Sequence, residues 1–501
     1  MILPGHFGCS SVLLSTKAWS GYIVSMRFWS PENTVTAVLI LVAGMSFIAW
    51  TGLAVVDDLK LRVPDMDLVA IADVEERGVA VVGKVRLGTG RESDLPGSWP
   101  RFRGADFNGI SNDDTKLARA WPDGGPKKLW TVSMGEGHAA AAVHDGRVYV
   151  LDYDREEQAD AMRCLSLGDG KEIWRFSYPV RIKRNHGMSR TIPAVTKEYV
   201  LGFGPKCHVF CLDAKSGKCH WLIDLVAEFN AIVPQWYAGQ CPLIDDGKAI
   251  IATGGASLMV AIDCESGDVV WRSPNPRGWE MTHSSIMPME FGGRRTYVYC
   301  AQGGVVGVAA DNGELLWNST DWKIRIATVP SAMILPNNRL FFSGGYNSGA
   351  MMAQIEEQGG DIGVETLFRL KPKRFGSTQQ TPIFYNGFIY GVRDSDKQLV
   401  CLDLKGNEVW RSGRQHKFGL GPYVISDGLI FVLDDSARLT LVEATSSGYH
   451  QLAQALILED AQDAWGPMAV AAGRLILRDL TRMVCLDVAD RQNFTSLQKG
   501  K

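Results

Sequence analysis

The chain has 501 residues, 46% of them hydrophobic and 21% charged, with a formal net charge of −3. This balance matches a soluble globular chain and excludes a disordered or collagen-like polymer and a multi-span membrane protein. A net charge this close to zero also excludes the broad basic field of a nucleic-acid binder. The length exceeds one ordinary domain of ~100–200 residues unless the chain is a repeat fold. Its 53 glycines and 15 tryptophans combine many tight turns with many large aromatics, the makings of an all-β repeat.

Residues 1–33 read as a short tail on the cytoplasmic side. Residues 34–56 carry no charge and exceed the run of about 20 apolar residues that crosses a bilayer. They are expected to form a transmembrane signal anchor in the inner membrane. Lys17 and Arg27 precede the run and Asp57 and Asp58 follow it, which places the remainder in the periplasm or extracytoplasmic space. A cleaved signal peptide is the competing reading, and Met26-Arg27 before the apolar run offers a second start. Residues 57–97 read as a linker, with room for a small hairpin.

From residue 98 the chain becomes periodic. A strand ending in Cys-Leu-Asp or a variant is followed by a glycine turn and, four residues after the glycine, a tryptophan. The copies are CLSLGDGKEIW (164–174), CLDAKSGKCHW (211–221), AIDCESGDVVW (261–271), VAADNGELLW (308–317) and CLDLKGNEVW (401–410). Phe368 marks one worn copy, and Val442 to Thr445 with Gly448 marks another. Upstream of these motifs stand apolar strands marked by proline: TIPAV, CPLI, IMPME, VPSAMI, TPIFY, GPYVI and GPMAV. Turn pairs such as Asp145-Gly146, Asp246-Gly247, Asn386-Gly387 and Asp427-Gly428 follow, which are hairpin signals. Each unit therefore holds four antiparallel strands in about 45 residues, the size of a propeller blade.

Eight upstream halves occur, the first at 140–143. The fold expected over 98–490 is an all-β, eight-bladed propeller, with a tail at 491–501. The last unit stops after CLDV at 488 without its fourth strand. KKLWTVS (127–133) has no unit of its own and carries Trp130 at the matching place. This N-terminal strand is expected to complete the last blade and close the ring, removing open sheet edges. Proline suits an innermost strand with one unpaired side, and the tryptophans are expected to pack between blades. Ten cysteines occur without a CxxC, which argues against a zinc ribbon or covalent haem. Cys164, Cys211, Cys401 and Cys485 share one repeat position and read as buried core.

This repeat resembles that of the quinoprotein-like eight-bladed propellers over about residues 98–488. The resemblance is specific for fold and weaker for activity. It implies two kinds of relative. One is dehydrogenases of alcohols or sugars that hold pyrroloquinoline quinone and calcium in the channel. The other is scaffolds such as the lipoprotein of the outer-membrane β-barrel assembly machine. The opening SWPRFRGADFNGIS (98–111) is similar to the lead-in of membrane-anchored quinoprotein-repeat proteins of planctomycete-type bacteria. The expectation is a membrane-anchored scaffold for envelope proteins. A quinone-dependent dehydrogenase and a small-molecule or carbohydrate-binding sensor are the alternatives. No adjacent cysteine pair, calcium cluster or haem motif is recognisable to favour the enzyme.

The segments just before the inner strands are expected to converge on one mouth of the channel. They supply the candidate binding residues: Arg184, Asn185, His186 and Arg190, then Trp236 and Gln240, then His283, then Gln379 and Gln380, then His416, then Asp463 and Trp465. Arginines there would fix carboxylates, Trp236 or Trp465 would stack on a planar ring, and the histidines and Asp463 could move protons. These are the expected contacts for the quinone or for another small molecule. The histidines come from different units without local ligand spacing, so no metal site is read from them. No catalytic residue is assigned.

Overall fold

A computed structural model describes residues 38–46 and 81–491. The chain divides into two units, Met1–Asp65 and Met66–Lys501. In the first, residues 38–46 are helical and exposed. The rest of the expected anchor at 34–56 lies outside the described residues, as do the tails at 1–33 and 492–501. Among the described residues no helix is long and apolar enough to cross a membrane.

In the second unit each repeat becomes one antiparallel sheet, and there are eight. The innermost strands of blades 1 to 8 are Ala142–His144, Ala194–Val195, Leu243–Asp245, Met287–Phe291, Met333–Leu335, Ile383–Tyr385, Tyr423–Ser426 and Ala469–Ala471. Pro193, Pro242, Pro382 and Pro422 stand immediately before four of them, and Pro288 lies within a fifth. Each inner strand has one sheet neighbour, so a missing N–H on its channel side removes no ladder bond. The inner strand of blade 8 packs against that of blade 1, and the ring is closed.

The seam is the expected one. Lys127–Ser133 pairs antiparallel with Arg482–Asp487 as the outer strand of blade 8, with Trp130 opposite Cys485. Cys164, Cys211 and Cys401 likewise oppose Trp174, Trp221 and Trp410. All four cysteines are buried, and none of the described cysteines is disulfide-bonded. Phe368 takes the tryptophan place in blade 5, opposite Met352. A register shift sits beside this position in every blade, from Cys164/Leu165 in blade 1 to Lys128/Trp130 in blade 8. A bulge there turns the outer strand and aims the large side chain sideways.

That side chain does not pack on the glycine of its own motif. In blades 8, 1, 2, 3 and 5 it reaches the glycine turn of the next blade. A methyl group on Gly170 would lie 2.8 Å from the Trp130 ring, and one on Gly217 would lie 2.6 Å from the Trp174 ring. Gly217 also has φ +72°, so the turn needs glycine both for its backbone and for the indole. Trp221 reaches Gly267, Trp271 reaches Gly313, and Phe368 with Leu370 reaches Gly406. Several indoles also donate to the next blade: Trp130 Nε1 to Leu167 O at 3.0 Å, Trp271 Nε1 to Ala310 O at 3.1 Å, and Trp410 Nε1 to Thr445 O at 2.8 Å. The joints made by Trp130, Trp221, Trp271 and Trp410 therefore bury a large aromatic and satisfy its one polar atom, whereas the Nε1 atoms of Trp174 and Trp317 are buried without a partner.

Two segments before blade 1 depart from the expected linker and lead-in. Lys84–Leu87 pairs with the outer strand Glu172–Pro179 and gives blade 1 a fifth strand. Its four side chains are exposed. Backbone pairing to a free sheet edge holds it, with Arg86 placed 3.7 Å from Glu172. A strand that buries no side chain leaves no hydrophobic pattern to read.

The second segment, residues 98–113, crosses the channel end where the inner strands finish. Trp99 exchanges two backbone bonds with Val143 of blade 1, and Pro100 O accepts from Val195 N of blade 2. Gly109 and Ser111 bond both sides of Ile425 in blade 7. The buried Arg103 donates to Thr381 O at 2.7 Å and Pro382 O at 2.8 Å beside blade 6. Burial lowers its pKa to about 10. It also donates to Phe107 O and Asn108 O of its own turn. The segment thus plugs the channel from below, and the channel is a cup rather than a pore.

Candidate binding cup at the channel mouth

In a four-stranded meander the start of the first strand and the turn between the second and third strands lie at the same end. Opposite the plug, these segments surround a cavity of about 350 Å³. Seven of the expected residues line it: His186, Arg190, Trp236, His283, Gln379, Gln380 and Trp465. They join His138, which lies in the corresponding segment of blade 1.

The other five expected residues serve the scaffold or the rim. Gln240 is buried and exchanges hydrogen bonds with the backbone of Ala252, its Nε2 donating at 3.0 Å and its Oε1 accepting at 2.9 Å. Arg184 is ion-paired with Glu136. Asn185 donates to Gln235 O at 3.0 Å. His416 packs on the Tyr449 ring at 5.1 Å, in a loop tied back to Gly413. Asp463 adopts a left-handed turn (φ 49°), and its carbonyl accepts from Trp465 N. Burial, with Asp435 nearby, lifts its carboxyl above the ordinary range.

Two lining aromatics lie outside the expected set. Phe102 comes from the plug and Tyr346 from the turn between the second and third strands of blade 5. Phe102 is outside the repeat and has no periodic signal. Tyr346 was reachable, because inner turns and pre-strand segments share one end of a meander.

The walls are held from behind. Asp435 accepts from Trp465 Nε1 and from Leu420 N, both at 2.8 Å. Gln380 Nε2 donates to Trp465 O at 3.0 Å, linking blades 6 and 8. The His138 ring stacks on Trp465 at 5.2 Å and 28°. Trp236 and His283 meet at 6.2 Å on the facing side. Cys241 also lines the cup, and burial pushes its thiol up to about 11.

The electrostatics centre on Arg190. Its Nη2 donates to the carbonyls of Asn185 and His186, while Nη1 is buried without a partner. Among the described residues no carboxylate lies within ion-pair distance of it. Its pKa falls to about 10 through burial. His138 drops to about 3, first through burial and then through Arg478 and Arg190. His283 drops to about 4 for the same first reason, with Arg190 adding. Arg190 therefore carries the positive charge between two neutral imidazoles. His138 Nε2 lies 3.1 Å from His186 O. That carbonyl only accepts, so Nε2 holds the proton and Nδ1 is a bare, buried acceptor.

The relatives' cofactor can be tested against these groups. The cup offers ring platforms and one unpartnered guanidinium nitrogen, Arg190 Nη1, for a planar carboxylate. Among the described residues, however, no three His, Cys, Asp or Glu side chains are grouped to hold a metal ion. The sequence has no adjacent cysteine pair to face the quinone. The residues present do not fit a calcium-bound pyrroloquinoline quinone.

Residues 158–406 match the family described as outer membrane protein assembly factor BamB. The chain is similar to BamB of Yersinia pestis, at 20% identity over 332 residues, covering 64% of this chain and 68% of that protein. In structure it resembles BamB from Moraxella catarrhalis, with a TM-score of 0.50 at 14% identity, covering 72% of this chain and 99% of that one. It also resembles the quinohemoprotein alcohol dehydrogenase from Comamonas testosteroni, with a TM-score of 0.55 at 12% identity, covering 79% and 81%. These likenesses meet on the architecture already built from the repeat: the chain is an eight-bladed β-propeller that resembles the quinoprotein-like, PQQ-repeat propellers.

Proposed function

We propose that the chain is an envelope scaffold for outer-membrane protein assembly, with residues 34–56 as its inner-membrane anchor and the propeller on the extracytoplasmic side. The single observation that carries this reading is the match of the central blades, 158–406, to an assembly factor. The plug adds to it, because a channel closed from below leaves the mouth and blade edges as the working surfaces. Partner segments would bind there by filling concave apolar ground ringed by polar groups. The test is photo-cross-linking in intact cells from probes at Tyr346 and Gln379. Recovery of envelope proteins supports the scaffold. A domain that cross-links to none of them, yet reduces dye on a polyol panel once given quinone and calcium, belongs to the dehydrogenase reading instead.

A small-molecule sensor is the second reading. The specific observation favouring it is the buried, unpartnered Nη1 of Arg190. A buried cation without a counter-charge is costly, and an anion in the cup removes that cost.

A further inference from the structure

We infer that the cup receives the C-terminal end of a partner polypeptide, its terminal carboxylate on Arg190 and its last side chain apolar. The inference rests on the scaffold reading for the identity of the ligand and on the cup's own geometry for its chemistry.

The first observation is the dead end. Residues 98–113 span the channel from blades 1 and 2 to blades 6 and 7, and Phe102 presents an aromatic ring to the cup from that side. A chain can enter from the mouth and cannot leave below. A loop entering a cavity of about 350 Å³ would have to double back within it, whereas a chain end would not.

The second observation is charge. Arg190 Nη1 is buried without an acceptor, so the end that enters is the anionic one. A terminal ammonium would meet an uncompensated guanidinium. The third is the bare acceptor at His138 Nδ1, which needs a donor from the ligand. Arg190 Nη2 and His138 Nε2 meet the same His186 carbonyl, at 3.2 and 3.1 Å, so the two groups share one neighbourhood of the cup. A terminal residue of a peptide carries both complements, a carboxylate and, one atom away from its Cα, an amide N–H. The remaining wall is apolar or aromatic, with Ile192, Trp236, Leu420 and Trp465 facing the space. Such a wall selects an apolar last side chain.

The experiment uses fluorescence anisotropy on the whole extracytoplasmic unit from residue 66. The probe is a short fluorescein-labelled peptide ending in leucine. Competitors are the same unlabelled peptide as free acid, its C-terminal amide, and phenylacetate as a free carboxylate without an amide. The expected result is that the amide competes at least tenfold more weakly than the acid, and phenylacetate more weakly still. Arg190→Gln should abolish the acid-over-amide preference, and Arg190→Lys should keep part of it. The wild-type comparison stands even if Arg190→Gln folds poorly. Equal competition by acid and amide, or no binding of either, overturns the inference. Phenylacetate competing as well as the peptide also overturns it and transfers the site to a small acid. Envelope cross-linking that persists with no acid preference would leave the scaffold standing without this site. Acid-selective binding with no envelope cross-link would do the reverse.

Discussion

Removing the indole of Trp130 tests ring closure at the one joint that links the two ends of the propeller. Trp130 is 7% exposed and opposes Cys485 in the last blade. Its ring covers Gly170 of blade 1, and its Nε1 donates to Leu167 O at 3.0 Å. Replacing a buried tryptophan by alanine costs about 3–5 kcal/mol. The lost hydrogen bond adds little, because Leu167 O still accepts from Arg474 Nη1 at 2.7 Å. Trp130→Phe retains most of the buried area and should cost about 1–1.5 kcal/mol. The assay is the urea midpoint of the propeller unit, read together with limited proteolysis. Trp410→Ala, at an interior joint of similar exposure (8%), serves as the control. Both alanine variants should lose similar stability, but only Trp130→Ala should gain cleavage between residues 113 and 133, where the seam strand detaches. A Trp130→Ala midpoint within experimental error of the wild type would refute the argument. So would equal seam cleavage in the Trp410→Ala control.

Arg103→Ala leaves the carbonyls of Thr381 and Pro382 without their buried donor. It should cost about 2–3 kcal/mol and open residues 98–113 to protease, and an unchanged digestion pattern would count against the plug. Gly217→Val combines a backbone at φ +72° with a Cβ 2.6 Å from the Trp174 ring; a loss below about 1 kcal/mol in the urea midpoint would contradict the blade-to-blade joint. Asp160 is buried and bonded by Tyr178 OH at 2.7 Å, and desolvation raises its pKa to about 7. Its protonated form suits the fold, so its contribution is complete below the unfolded value of about 3.9 and fades as pH rises toward 7. Asp160→Asn should flatten that decline by a few kcal/mol, and parallel stability–pH curves for the two proteins would reject the assignment.

The legible part of this molecule is the part the chain writes many times. A tryptophan four residues after a glycine recurs in five blades; each copy stands beside the same bulge, and Trp174, Trp221 and Trp271 cover the glycine turn of the next blade. The tryptophans are expected between blades and indoles such as Trp174 do cross to the next, but the spacing alone does not show which glycine each one covers. The sequence holds the two partners but does not show the twist that offsets them. The closing strand was legible for a related reason, since a final unit lacking its fourth strand requires a donor and KKLWTVS is an unused strand of the right form. The fifth strand Lys84–Leu87 was not, because backbone bonds to an edge impose no side-chain pattern.

The cup is legible by place and not by role, and the reason is local competition for each polar side chain. Before an inner strand the backbone leaves unpaired groups, and a nearby polar side chain either satisfies them or faces the cavity. Gln240 takes the first course with Ala252 and Asn185 with Gln235 O, while Arg190 is too long to be used up by the carbonyls beside it and keeps one nitrogen free. Phe102 has no counterpart in any blade and enters the cup only because the plug carries it there. A repeat averages its signal over eight copies, but a binding cup depends on the single copies that differ. Side-chain reach and the hydrogen-bond demand of the adjacent backbone therefore decide which members of a polar mouth remain available to a ligand, and Arg190 is the member for which both leave a charge unspent.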